Sequence, residues 1–179
     1  MEELEDLIKK CQKKEHKAFD KLYEQFSPLV FGICLRYAKN EDDAKDLMQE
    51  SFLKILERIN EYKFQGSFEG WIRRIAVHNA INFLNFNKRF FSSEVELEQS
   101  TASYNTTGLE NMGEEQLLNI INRLPKGCRA VFNLNVIEGY DHGEIAEMLD
   151  ITESTSRSQL KIARNRIMDY FKKINYERD

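Results

Sequence analysis

The sequence predicts an all-α fold, two small helical domains joined by a flexible acidic linker, and three observations lead to it. Of 179 residues only two are proline and eight are glycine, so helices are seldom interrupted; 41% are apolar and 31% charged, the balance of a soluble globular chain. Apolar residues recur at three- and four-residue spacing through most of the chain, the period of a helix with one buried face. Between about Phe91 and Gly113 that period stops and Ser, Thr, Asn, Gln and Glu take over.

The first block reads as helices in order. Leu4, Leu7, Ile8 and Cys11 form one apolar stripe, and Phe19, Leu22, Tyr23 and Phe26 form a second. Ser27-Pro28 predicts a restart, because Ser caps helices and Pro suits the first helical position. A third helix then carries Val30, Ile33, Cys34 and Tyr37. Asn40 is the next cap, with Glu41, Asp42 and Asp43 set against the positive end of the helix dipole. That fourth helix runs to about Ile59, with Ala44, Leu47, Met48, Phe52, Ile55, Leu56 and Ile59 inward. Phe64-Gln65-Gly66-Ser67 breaks the chain before a long helix with Phe68, Trp71, Ile72, Ile75, Ala76, Ala80, Phe83 and Leu84 inward. Its other side carries Arg73, Arg74, His78, Asn82, Asn85 and Arg89 and no carboxylate.

The second block opens with Leu117, Leu118, Ile121 and Leu124, stopped by Pro125. Cys128, Val131, Phe132 and Val136 mark a helix that ends at Gly139, a favourable C-cap. Asp141 and Glu144 have capping-box spacing and open a short helix with Ile145, Met148 and Leu149 inward. Asp150-Ile151-Thr152 interrupts it. A final helix from about Glu153 buries Leu160, Ala163, Ile167, Tyr170 and Phe171, while Ser154, Arg157, Ser158, Lys161 and Asn165 project on the other side. A short helix, a three-residue turn and a longer helix with a hydroxyl- and cation-bearing face make a helix-turn-helix. In that motif Arg157 and Gln159 can read base edges, and Ser154, Ser156 and Ser158 suit phosphates or bases. Lys161, Arg164 and Arg166 suit the phosphate backbone, which positions without specifying.

Other chemistry is not indicated. Cys11, Cys34 and Cys128 are odd in number and far apart, without C-x-x-C spacing, so neither a disulfide framework nor a metal site is expected. His16, His78 and His142 have no catalytic partner at a telling spacing, and no phosphate-binding glycine loop is present. Enzyme activity and a cofactor are not expected. No apolar run approaches the roughly 20 residues of a membrane span, and Met1 is followed by acidic residues rather than a basic, apolar leader, so a cytoplasmic protein without membrane insertion is expected.

The net charge of -4 weighs against a nucleic-acid partner until it is resolved along the chain. No Lys or Arg stands between Arg89 and Arg123, where Glu94, Glu96, Glu98, Glu110, Glu114 and Glu115 concentrate negative charge. From Ile151 onward seven basic residues face four acidic ones.

Together these segments resemble an extracytoplasmic-function (ECF) class RNA polymerase sigma factor of the sigma-70 family. Asp43 through Lys54, reading DAKDLMQESFLK, resembles the segment that docks on core polymerase. Gly66 through Ala76, continuing to Asn79-Ala80-Ile81, resembles the segment that melts the duplex and reads the -10 element. Gly139 through Leu149 with Glu153 through Leu160 resembles the -35-binding helix-turn-helix. The resemblance implies polymerase contacts at Asp46, Leu47, Gln49, Glu50 and Leu53. It implies -10 contacts at Tyr62, Lys63, Phe64, Gln65, Ser67, Arg73, Arg74, His78 and Asn79, where a base is extruded into a protein pocket. It places -35 contacts on Ser154, Ser156, Arg157, Ser158, Gln159, Lys161, Arg164 and Arg166.

The implied domains are 1–91, which would bind polymerase and the -10 element, a linker 92–113, and 114–179 with the helix-turn-helix. Core RNA polymerase, promoter DNA and an anti-sigma factor are the implied partners. Two departures stand out: Asp150 occupies a turn position where Gly is common, and Ser156 occupies one where an aliphatic residue usually seats the recognition helix. A stand-alone helix-turn-helix regulator is the alternative reading.

Overall fold

The computed structural model describes residues 2–38, 40–86 and 118–176; the segment 92–113, Arg89 and Leu117 lie outside the described residues. The chain divides into two compact units, Met1–Phe83 and Leu84–Asp179. Every regular element among the described residues is helical.

The N-terminal elements are α1 (Glu2–Gln12), α2 (His16–Tyr37), α3 (Glu41–Arg58), a 3-10 turn (Ile59–Glu61) and α4 (Phe68–Phe86). The restart expected at Ser27-Pro28 does not occur, and α2 runs unbroken through Pro28. The reason lies in its buried face. Ala18, Leu22, Phe26, Val30, Ile33 and Tyr37 form one continuous inward stripe across the proline, which itself is exposed. Burying a side chain of this kind contributes about 1.5–3 kcal/mol, so the stripe outweighs a proline penalty of about 3 kcal/mol.

Asn40 caps α3 as expected, its Oδ1 accepting the Asp43 amide at 2.8 Å, with three acids in the first turn. α2 packs on α3 through Tyr23 and Phe52, ring centroids 4.6 Å apart. Phe26 meets Phe68 edge-on at 5.5 Å and brings the start of α4 into the same core.

The C-terminal elements are α5 (118–122), α6 (Lys126–Phe132), α7 (His142–Leu149) and α8 (Glu153–Tyr176). α6 passes into a π turn at Asn133–Ile137, closed by the Glu138 amide on the Asn133 carbonyl at 3.0 Å. The extra residue per turn shifts the helical phase, so Leu134 is buried and Val136, expected inward, is exposed. Leu124, Cys128 and Ala163 form the core here, with Phe132 and Ile167 packed against it. Phe171 is likewise exposed, contrary to expectation. It keeps nearly the azimuth of buried Leu160 but lies about 16 Å farther along α8, past the elements that cover Leu160.

Candidate partner and nucleic-acid surfaces

On α3 the two stripes separate cleanly. Ala44, Leu47, Ser51 and Ile55 are buried, while Asp46, Gln49, Glu50 and Leu53 line the outer side at i, i+3, i+4 and i+7. Leu53 is 62% exposed, a large apolar side chain left in solvent among acids. Leu47 does not join that face. It is 1% exposed on the inward stripe, where its carbonyl accepts the Ser51 hydroxyl at 2.7 Å, so it is reassigned from surface contact to core.

The loop between the 3-10 turn and α4 is held from several sides. Gln12 Nε2 donates to the Ile59 and Tyr62 carbonyls at 3.0 and 3.1 Å, stapling α1 to the loop base. Tyr62 is buried rather than presented to a ligand. Its ring lies within 5.6 Å, centroid to centroid, of Phe64, Phe68 and Trp71, and its hydroxyl donates to the Gly66 carbonyl at 2.8 Å. Anchored there, the loop turns through Phe64 at φ 58° and Gly66 at φ 80°, and Lys63, Phe64, Gln65 and Ser67 remain exposed. Ser67 also caps α4, its Oγ accepting the Gly70 amide at 3.3 Å.

Along α4, Arg74 and His78 are exposed one turn apart, and Arg73 is half-buried with Glu69 at 3.5 Å. Partial burial of its imidazole, then the charges of Arg74 and Arg58, push the His78 pKa below its usual value. Asn79, grouped with these residues from the sequence, belongs to the interior. It is 2% exposed, its Nδ2 donates to Ser51 Oγ at 3.0 Å, and its Oδ1 accepts from Lys54 Nζ. Both ends of the amide are occupied inside the protein.

In the C-terminal unit the expected capping box is present, Asp141 and Glu144 exchanging two hydrogen bonds of 2.9 Å at the start of α7. α7 ends at Asp150, which holds a left-handed backbone at φ 54°. Thr152 then accepts the Thr155 amide at 3.1 Å as α8 begins. Ser154, Arg157, Ser158, Lys161 and Arg164 are all exposed and fall within about 120° of the α8 circumference. Arg157 is drawn to Glu153 at 2.7 Å, and Lys161 and Arg164 have no carboxylate partner among the described residues.

Three residues assigned to this face lie elsewhere. Ser156 is completely buried, its Oγ 2.8 Å from His142 Nδ1, a polar lock between α7 and α8 in place of an aliphatic contact. Gln159, two residues after Arg157, turns about 200° away and accepts from Cys128 Sγ at 2.7 Å. Arg166 also points away and lines a depression of about 290 Å³ with Ile120, Arg123, Leu124, Asp169 and Tyr170.

Sequence reasoning missed Gln12 and Lys54. Both act through contacts tens of residues distant, and neither side chain carries a local signal. Burial raises the thiol pKa of Cys11 to about 11 and of Cys34 to about 12, which keeps both protonated and poor as nucleophiles or metal ligands. No cluster of three metal-ligating side chains occurs among the described residues, and no described helix is long and apolar enough to cross a membrane.

Residues 22–90 match the Sigma-70 region 2 family and residues 114–167 the Sigma-70, region 4 family. The chain is 32% identical over 173 residues to the ECF RNA polymerase sigma-E factor of Salmonella typhimurium strain LT2, covering 90% of each. It is 29% identical to the ECF RNA polymerase sigma-E factor of Haemophilus influenzae, covering 90% of this chain and 91% of that one. Among solved structures, the sigma factor RpoE in complex with the anti-sigma factor NepR from Bartonella quintana superposes with a TM-score of 0.58 at 16% identity, over 87% of this chain and 98% of that one. CnrH in complex with the cytosolic domain of CnrY superposes at 0.51, also 16% identical, over 93% and 95%. These two likenesses are of fold.

Proposed function

The chain belongs to the ECF class of sigma-70 family RNA polymerase sigma factors, and from that membership we propose how its surfaces divide the work of promoter selection. A sigma factor binds core polymerase, directs it to promoters and helps open the duplex, without catalysing a reaction itself. We assign 1–91 to polymerase binding and -10 opening, 92–113 to a linker and 114–179 to -35 recognition, in line with the two family matches.

Polymerase docking falls to Asp46, Gln49, Glu50 and Leu53. The observation that carries this is the exposed leucine set among acids on a helix whose opposite stripe is wholly buried. The -10 element falls to Lys63, Phe64, Gln65 and Ser67 on the loop, with Arg73, Arg74 and His78 following the strand along α4. The first turns of α8 enter the -35 major groove, Arg157 reaching base edges while Ser154, Ser158, Lys161 and Arg164 meet edges and phosphates. The working compartment is the cytoplasm, where polymerase is, and the regulator is an anti-sigma factor such as the one that accompanies the Bartonella relative.

The double substitution Asp46→Ala and Glu50→Ala tests the docking face. Affinity for core polymerase falls at least tenfold while circular dichroism and thermal melting stay those of the wild type, since both side chains are exposed. Unchanged affinity for core sinks the assignment.

A further inference from the structure

We infer that Lys54 is a positioning residue for promoter opening: it registers the DNA-facing helix α4 on the polymerase-facing helix α3, so that docking and opening are coupled through one side chain. The inference rests on the docking and -10 assignments above.

Lys54 lies one turn after Glu50 and is half-buried. Its ammonium donates to Glu50 Oε1 at 2.8 Å and to Asn79 Oδ1 on α4. A lysine head has three donors, so it serves both acceptors at once. Asn79 is bonded a second time, to Ser51 Oγ, and Ser51 in turn to the Leu47 carbonyl, which ties α4 to the backbone of α3 at a buried point. Asn79 thus has two fixed bonds to α3, and only the one from Lys54 reaches the polymerase-facing surface.

The geometry gives this junction a consequence for DNA. Successive helical residues are 100° apart, so pinning Asn79 inward sends its neighbour His78 outward, and Arg74 one turn earlier with it. Rotation of α4 about its axis would carry both off the strand they are to follow. Glu50 is the other partner of Lys54 and a member of the docking stripe. A polymerase cation that draws the Glu50 carboxylate away leaves the ammonium to Asn79 alone, tightening the α3–α4 junction when the protein is docked.

The test uses holoenzyme assembled from the full chain and core polymerase, on a promoter found by sequencing transcripts that the wild-type holoenzyme initiates on genomic DNA. Lys54→Met keeps most of the alkyl stem and removes the donors; Lys54→Arg keeps donors that reach both partners. Core affinity of Lys54→Met is expected within threefold of wild type or tighter, because Glu50 loses its internal partner. Permanganate reactivity of the opened -10 region is expected to fall about tenfold, and Lys54→Arg to recover it to within threefold.

Full opening by Lys54→Met, equal loss of core affinity and opening, or no recovery by Lys54→Arg each overturns the inference. A wild-type protein that fails to bind core would instead defeat the docking assignment, a result visible before any variant is made.

Discussion

Phe64 holds φ at 58°, a region that costs an ordinary L-residue about 1–2 kcal/mol, and it does so with its ring exposed. Strain of this kind persists where the surroundings over-determine it, and it clusters at functional sites. Here the surroundings are Tyr62, whose ring lies 5.3 Å away, and Lys9, whose Nζ stands 5.5 Å over the ring. Phe64→Gly relieves the backbone and gives up entropy and a partly exposed ring, so unfolding free energy should change by less than about 1 kcal/mol. If the ring is a -10 contact, opening by the holoenzyme drops at least fivefold in the same variant. Normal opening, or a fold that melts far below wild type, would remove Phe64 from the site. The resemblance groups Phe64 with Tyr62 because both lie where the -10 loop is expected, yet Tyr62 is a buried anchor and Phe64 is exposed. The difference arises from Phe68 and Trp71, whose packing around Tyr62 no local pattern reveals. Leu47, Asn79 and Ser156, which the resemblance gives as contacts, are buried by tertiary packing; the helical period already places Leu47 inward, and Ser156 stands where an aliphatic residue usually seats the recognition helix.

At the scale of elements, what was legible was what hydrogen bonds over three or four residues decide. The Asn40 cap and the Asp141–Glu144 box are local and stand where the sequence puts them, and Asp150 takes up the left-handed backbone at a turn position where Gly is common. The continuity of α2 and the π turn after α6 were not legible, because each is settled by which side chains find a partner across the unit. Pro28 makes this measurable. It lacks an amide and its ring crowds the carbonyl four residues back, yet its side chain is exposed and contributes nothing to the buried stripe. Pro28→Ala should therefore stabilise the protein by about 1–3 kcal/mol, read as a higher denaturant midpoint with unchanged slope. A lower midpoint would mean that the proline shapes α2 in a way the core depends on.

For the molecule as a whole, the net charge of -4 conceals a division of labour. Six glutamates between Glu94 and Glu115 account for more than the whole excess, and the cations of the proposed -35 face, Arg157, Lys161 and Arg164, are few, the first already drawn to Glu153. Each phosphate neutralised contributes about -0.9 to the salt slope of binding, so the three cations of this face give its contact with the -35 duplex a slope no steeper than about -3. That is too little electrostatic attraction to hold duplex DNA firmly at physiological salt. The isolated chain is therefore expected to bind promoter duplex weakly and to distinguish it from scrambled duplex by less than about threefold. On the proposed assignment, in which polymerase supplies affinity while α8 and the loop around Phe64 supply sequence preference, the holoenzyme should discriminate the two by at least a hundredfold. Titration of both duplexes with the chain alone and with holoenzyme, across a series of salt concentrations, measures the two quantities together. Tight, promoter-specific binding by the isolated chain would instead fit a regulator that works unaided, and would contradict the partition of affinity and address argued from its charge.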